Sequence, residues 1–148
     1  MALDFDVMVT AIAARYASGT LAPPAGLPAV RRSTGDLPQR LTVFPCVLVF
    51  PESGTLGVGG QTRVGEHFML ARFYLRRTKD VAREVNECRR WLSKLIDAHL
   101  AAMTLGGTIA AVRTIGWRIG VLTYGSVSYS GVELRLQLVT SDAWSPTP

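Results

Sequence analysis

The stretch EHFMLARFYLR, residues 66–76, is followed after a short connection by DVAREVNECRRWLSKLIDAHLAAM, residues 80–103, and the two together set the fold class. In the first, His67, Met69, Ala71, Phe73 and Leu75 alternate with Phe68, Leu70, Arg72, Tyr74 and Arg76, the period of two of a β-strand. The second set is mixed. Its aromatics and arginines suit contact with another subunit, while a covering helix in the same chain would explain its apolar members equally well. In the second stretch the period changes to that of a helix, with Val81, Val85, Cys88, Leu92, Leu95 and His99 along one stripe and Trp91 and Ile96 beside it. Thr78 or Asp80 caps its start, and Arg83, Glu84, Glu87, Arg90 and Lys94 form the opposite face, read as solvent-facing with pairs such as Glu87 and Arg90. At about 1.5 Å per residue this helix spans roughly 36 Å, long enough to lie across a small sheet.

On the carboxyl side, Gly106 and Gly107 end the helix, and residues 108–123 are rich in β-formers, with Ile109, Val112, Ile115, Trp117, Ile119 and Val121. A turn is expected over 124–131. Val132, Leu134, Leu136 and Leu138 then alternate with Glu133, Arg135 and Gln137 as a final strand, and 141–148 reads as a polar tail. On the amino side, residues 41–50 read as a strand bent at Pro45, which donates nothing to a ladder. Residues 51–65 hold glycines 54, 57, 59, 60 and 65 and read as a Gly-rich loop. That loop lacks the spacing of a phosphate cradle. Residues 18–40, with Pro23, Pro24, Pro28 and Pro38, form a long Pro/Gly-rich connection. Ahead of it, Phe5, Met8, Val9, Ile12, Ala13 and Tyr16 predict an amphipathic helix over 3–17. The order of helix, long connection, two strands, long helix and two strands predicts an α+β fold: a mainly antiparallel sheet with the long helix and the N-terminal helix packed on one face. Its 148 residues, 48% of them hydrophobic, suit a single domain spanning 1–148.

Composition narrows function. Asp4 and Asp6 stand where a secretory signal would be basic, and basic residues interrupt every long apolar run, so neither export nor a membrane span is expected. Cys46 and Cys88 read as small core hydrophobes, and His67 and His99 as isolated structural histidines, so no metal is expected. No nucleophile with its base, paired carboxylates or HExxH motif emerges, and neither catalytic residues nor cofactors are expected. Fourteen arginines and two lysines against eleven acids give a net charge of +5. That preference for arginine suits bidentate contacts at interfaces, or contact with nucleic acid. Phe68, Tyr74, Trp117, Tyr124 and Tyr129 are stacking platforms if they share an exposed face with Arg72, Arg76 and Arg118, and ordinary cross-strand packing if they do not.

Three local patterns are carried together. An opening helix and a Pro-rich stretch close in Gly35-Asp36-Leu37-Pro38 and lead into Phe44-Pro45-Cys46-Val47-Leu48-Val49. Arg77-Thr78-Lys79-Asp80 enters the long helix. Leu122-Thr123-Tyr124-Gly125 precedes Tyr129-Ser130-Gly131-Val132 and the last strand. In these the chain resembles the tail terminator, or tail completion, proteins of long-tailed bacteriophages. The resemblance implies a structural virion protein of the tail or neck, assembled in the host cytoplasm. It implies a homo-hexameric ring that caps the tail tube, stops its polymerisation and offers the surface that joins the head. The implied partners are further copies of the chain, the tail tube protein and a head-closure or neck protein, with DNA passing through the lumen without sequence readout. Arg63, Arg72, Tyr74, Arg76 and Arg118 are then the candidate channel or subunit-interface residues. A head-closure or adaptor subunit of the neck, and a small basic nucleic-acid-binding domain, are the alternatives.

Overall fold

The computed structural model describes residues 4–57, 62–107, 109 and 111–143; the side chains at 62, 63, 142 and 143 fall outside the described set. Helix α1 spans Phe5–Ala14, and the Asp4 carboxylate caps it by accepting from the backbone N–H groups of Asp6 and Val7 at 3.0 and 3.2 Å. Strands β1 (Arg32–Thr34), β2 (Cys46–Gly57) and β3 (Thr62–Arg77) follow, then helix α2 (Val81–Leu100), a 3-10 turn (Leu105–Gly107), and strands β4 (Ala111–Tyr124) and β5 (Val127–Ala143). The fold is α+β, with one sheet in the order β1-β2-β3-β5-β4.

The sheet is mixed, which corrects the mainly antiparallel expectation. β1 lies inside the 18–40 connection and pairs parallel with β2, while the other three pairings are antiparallel. Proline and glycine around it hid the strand, which is only three residues long. The connection is also anchored, with Leu21, Pro24 and Val30 buried.

The Gly-rich segment is largely strand. β2 continues through Gly57 and β3 opens at Thr62, so these two strands form a long hairpin, while residues 58–61 lie outside the described ones. Gly54 and Gly65 are there for contact. A Cβ at Gly54 would stand 2.6 Å from His67 Nδ1, and one at Gly65 would stand 2.5 Å from His67 Nε2. The glycines make room for a buried imidazole, as glycine does where side chains approach a strand closely.

Two other boundaries move. β2 begins only after Pro45, since the stretch from Leu41 folds across the sheet. The expected turn over 124–131 shrinks to Gly125 and Ser126, with Gly125 at φ +62°, and β5 runs on into the expected tail as far as Ala143. Residues 144–148 lie outside the described ones.

Alternation along the strands divides the interior in two. Val47, Val49, Met69, Ala71, Phe73, Val132, Leu134, Leu136 and Leu138 belong to one apolar cluster together with Met8, Ile12 and Tyr16 near α1 and Cys88, Trp91 and Leu95 of α2. Phe73 meets Trp91 with ring centroids 4.7 Å apart. The opposite face carries a smaller cluster of Leu41, Cys46, Leu48, Tyr74, Leu122 and Tyr129. For convenience these are the helix face and the open face.

The buried stripe of α2 is rotated from the expected one. Glu84, Cys88, Trp91, Leu95, Ala98 and His99 are buried, whereas Val81 is exposed. Glu84, assigned above to the solvent face, is thus an interior residue.

Candidate functional site

Of the five candidate residues, Arg72, Tyr74 and Arg118 fall on the open face. Arg72 lies opposite Glu133 in the β3–β5 register, and Arg118 lies opposite the same glutamate from β4. Glu133 therefore ties three strands together, accepting from Arg72 Nε at 2.7 Å with Arg118 Nη2 at 3.7 Å. The Arg72 pKa is raised: burial disfavours its charge, but Tyr74 and Glu133 outweigh that penalty.

Tyr74 is no surface platform. It is fully buried in the open-face cluster, edge-on to Tyr124 and Tyr129 with centroids at 6.0 and 5.5 Å. Burial raises its pKa against the lowering pull of Arg72. Leu41 and Phe44 lie over this cluster, and the Tyr124 hydroxyl donates to the Pro38 carbonyl, which fastens the connection down.

Arg76 is on the wrong face for the expected grouping. A bulge between Tyr74 and Arg76 shifts the register by one, and a one-residue shift turns every later side chain over. Arg76 consequently sits on the helix side, 2.5 Å from Glu87 and 3.8 Å from Glu84 of α2. Arg63 stands opposite Asp142 in the backbone register, and its side chain lies outside the described residues.

The open face holds more than the sequence indicated. Arg135 packs its guanidinium 3.8 Å from the Phe68 ring centroid and pairs with Glu52 at 2.7 Å. Arg72 lies 5.5 Å from the Phe50 centroid, and Arg113 pairs with Glu66. Arginine and glutamate thus alternate over two aromatic rings, so the basic charge of this face is locally balanced. The signal was present in the final strand, where Glu133 and Arg135 occupy the polar positions, but their partners on β2, β3 and β4 become neighbours only through register.

A second polar cluster lies under the start of α2. The Glu84 carboxylate accepts from the backbone N–H groups of Lys79 and Asp80 at 3.1 and 3.2 Å and from Ser130 Oγ at 2.9 Å. It satisfies helix-start donors that otherwise lack partners, and this offsets its burial. A glutamate four residues after a capping aspartate was the available hint.

Buried titratable groups elsewhere have local causes. His99 Nε2 and the Tyr16 hydroxyl share a hydrogen bond that joins α2 to the end of α1, and burial followed by the nearby Arg15 charge lowers the His99 pKa to about 4. Burial also pushes the Cys46 thiol up to about 11 and the Cys88 thiol to about 12. His67 is 3.2 Å from Thr140 Oγ1 and edge-on to Phe5, beside a groove of about 390 Å³ that Pro51 and Leu56 also line. Burial lowers its pKa.

Among the described residues, no group of three or more His, Cys, Asp or Glu side chains is arranged to hold a metal ion. No helix among them is long and apolar enough to cross a membrane.

At the two sides of the sheet, strand edges have no partner strand among the described residues. β4 is an end strand of 14 residues carrying exposed Trp117 and Val121. At the other end, β1 covers β2 only from Cys46 to Leu48, leaving the rest of that strand without an outer partner in the described sheet. In comparison with known proteins, the chain matches no family model and no curated protein sequence.

Proposed function

We propose that this chain is a structural assembly subunit of the phage tail terminator kind, which forms a ring, caps the tail tube, stops its polymerisation and offers the head-joining surface. Catalysis plays no part in this reading. The observation that carries it is the pair of unlike open edges on one sheet, β4 on one side and β2 beyond β1 on the other. An unprotected strand edge is a template for pairing with another chain. Two different edges on opposite sides make the contact head-to-tail, and such contacts close into rings when the rotation per subunit allows it. The local resemblances quoted above supply the choice among ring-forming proteins, with six copies as the expected number and DNA passing through the lumen without sequence readout.

The balanced open face favours this reading over a free nucleic-acid-binding domain. Arginines already held by Glu52, Glu66 and Glu133 have little charge left for phosphates. Light scattering on the purified full chain, with negative-stain images, tests the proposal. Closed rings are expected; a monomer at all concentrations refutes it. Binding of duplex DNA by that monomer, strongly weakened between low and moderate salt, supports the nucleic-acid reading instead.

A further inference from the structure

The cations of the open face are neutralised, and the excess positive charge of the chain has to reside elsewhere. One concentration of it lies on the outer side of α2. From position 86 onward the exposed residues of this helix are Asn86, Arg89, Arg90, Ser93, Lys94 and Asp97, the side turned away from the buried Cys88, Trp91 and Leu95. A solvated helix face usually mixes both signs in i,i+3 and i,i+4 pairs. Here the acids that could serve are turned inward: Glu84 is buried beneath the helix start, and Glu87 is held by Arg76 at 2.5 Å, with Arg83 at 3.7 Å sharing it. Among the described residues, Arg89, Arg90 and Lys94 make no ion pair, whereas Arg72, Arg113, Arg118 and Arg135 each have a glutamate.

Two cations on this helix are positioned by neutral groups, which fix a guanidinium without cancelling its charge. Arg90 Nη2 donates to the Ala25 carbonyl of the 18–40 connection, and Arg15 Nε donates to the Ala98 carbonyl of α2 at 3.0 Å. From Arg89 to the Ala98 anchor the helix rises roughly 14 Å, at about 1.5 Å per residue, a length over which one strand of a duplex presents about four phosphates. The composition of the face selects its ligand. A protein partner calls for an apolar, aromatic centre depleted in charge, and single-stranded nucleic acid calls for rings on which bases stack. None of the six exposed side chains supplies either. Arginine, lysine, serine and asparagine are the side chains that contact duplex phosphates.

We infer that the outer face of α2, centred on Arg89, Arg90 and Lys94, binds the phosphate backbone of duplex DNA without reading its sequence. The inference rests on the DNA passage in the reading above and assigns its surface, on the side of the sheet opposite Arg72 and Arg118. Arg32, Arg40 and Arg77 also make no ion pair among the described residues, but they are spread over three segments beside the open-face cluster. They serve as a charge-matched control.

The test measures binding of the full chain to a short fluorescent duplex of mixed sequence by anisotropy over a series of salt concentrations, with circular dichroism to verify folding and light scattering to read assembly. Arg89→Gln/Arg90→Gln/Lys94→Gln, all at exposed helix positions, should bind about 10-fold more weakly or worse at low salt, with the slope of log affinity against log salt reduced by roughly 2–3. Arg32→Gln/Arg40→Gln/Arg77→Gln should keep most of the wild-type affinity. Equal losses in the two triple variants overturn the assignment in favour of net charge alone, and a wild type that does not bind the duplex overturns it outright. Displacement of the duplex by polyglutamate as readily as by unlabelled duplex overturns it in favour of an acidic polypeptide. Rings that bind DNA normally after the α2 substitutions overturn this surface and leave the ring reading standing. A monomer whose DNA binding is lost with those substitutions overturns the ring and supports the surface.

Discussion

Replacing Glu84 by alanine should be among the most damaging single changes at a polar position, because the carboxylate is the shared acceptor of four groups. Two are backbone N–H groups at the start of α2, one is the buried Ser130 hydroxyl, and the fourth is Arg76 at 3.8 Å. Loss of the capping contacts costs about 1 kcal/mol, and leaving Ser130 without a partner costs about 1–3 kcal/mol. Arg76 keeps Glu87 at 2.5 Å, so its charge is not stranded and adds little. The sum is about 3 kcal/mol, within the range for breaking buried charged contacts. For a domain of this size that lowers Tm by roughly 6–12 °C. Urea unfolding followed by circular dichroism measures it, with Ser130→Ala and the double variant completing a cycle. The cycle should show coupling of about 1 kcal/mol or more, since the two side chains are in direct contact. Glu84→Gln, which keeps an acceptor, should lose less than alanine does. A Glu84→Ala protein within about 0.5 kcal/mol of the wild type would refute the argument that this carboxylate organises the helix start.

Three further outcomes follow from the packing. The folded pKa of His99, about 4, lies below its ordinary 6.5, so the stability it contributes is present above pH 6.5 and is lost as pH falls towards 4. The loss reaches about 3 kcal/mol, and His99→Phe should flatten that part of the pH–stability curve; an unchanged acid limb counts against the burial of a neutral His99 imidazole. Gly131→Ala should cost at least the upper end of the ~1–3 kcal/mol of an overpacked site, because its Cβ would stand 2.1 Å from the Phe73 carbonyl oxygen on the neighbouring strand; a neutral substitution in thermal melts would contradict that spacing. Leu136→Asp places a carboxylate at a position with no exposure and should abolish cooperative unfolding, whereas a folded, soluble variant would mean that β5 is turned the other way.

The elements themselves were legible because period and burial agree. Val132, Leu134, Leu136 and Leu138 alternate in sequence and are all buried on one face, and Met8, Val9, Ile12 and Ala13 repeat at helical spacing and are all buried against the sheet. What was not legible depends on neighbours that sequence does not list side by side. The α2 stripe had two nearly equal apolar solutions, and the one adopted buries Glu84 because Ser130 and two helix-start amides are waiting for it. The glycines at 54 and 65 suggested a loose loop when their space is taken by His67. For the candidate site, Arg72 and Arg118 meet at Glu133 on the open face, but Tyr74 is interior and Arg76 leaves the group through a bulge that composition does not mark.

That bulge at Leu75 acts as a phase change in the chain. Upstream of it, β3 delivers Arg72 to the bare side of the sheet; immediately downstream, the same strand delivers Arg76 to the helix side, where the acids of α2 receive it. One supernumerary residue thus lets a single strand distribute cations to both of its surfaces. Closing the bulge by pairing Leu75 itself with Ser130 would return Arg76 to the parity of Arg72, take from Glu84 its cation and leave Glu87 with Arg83 alone, and so couple the spacing of one strand to the seating of the long helix.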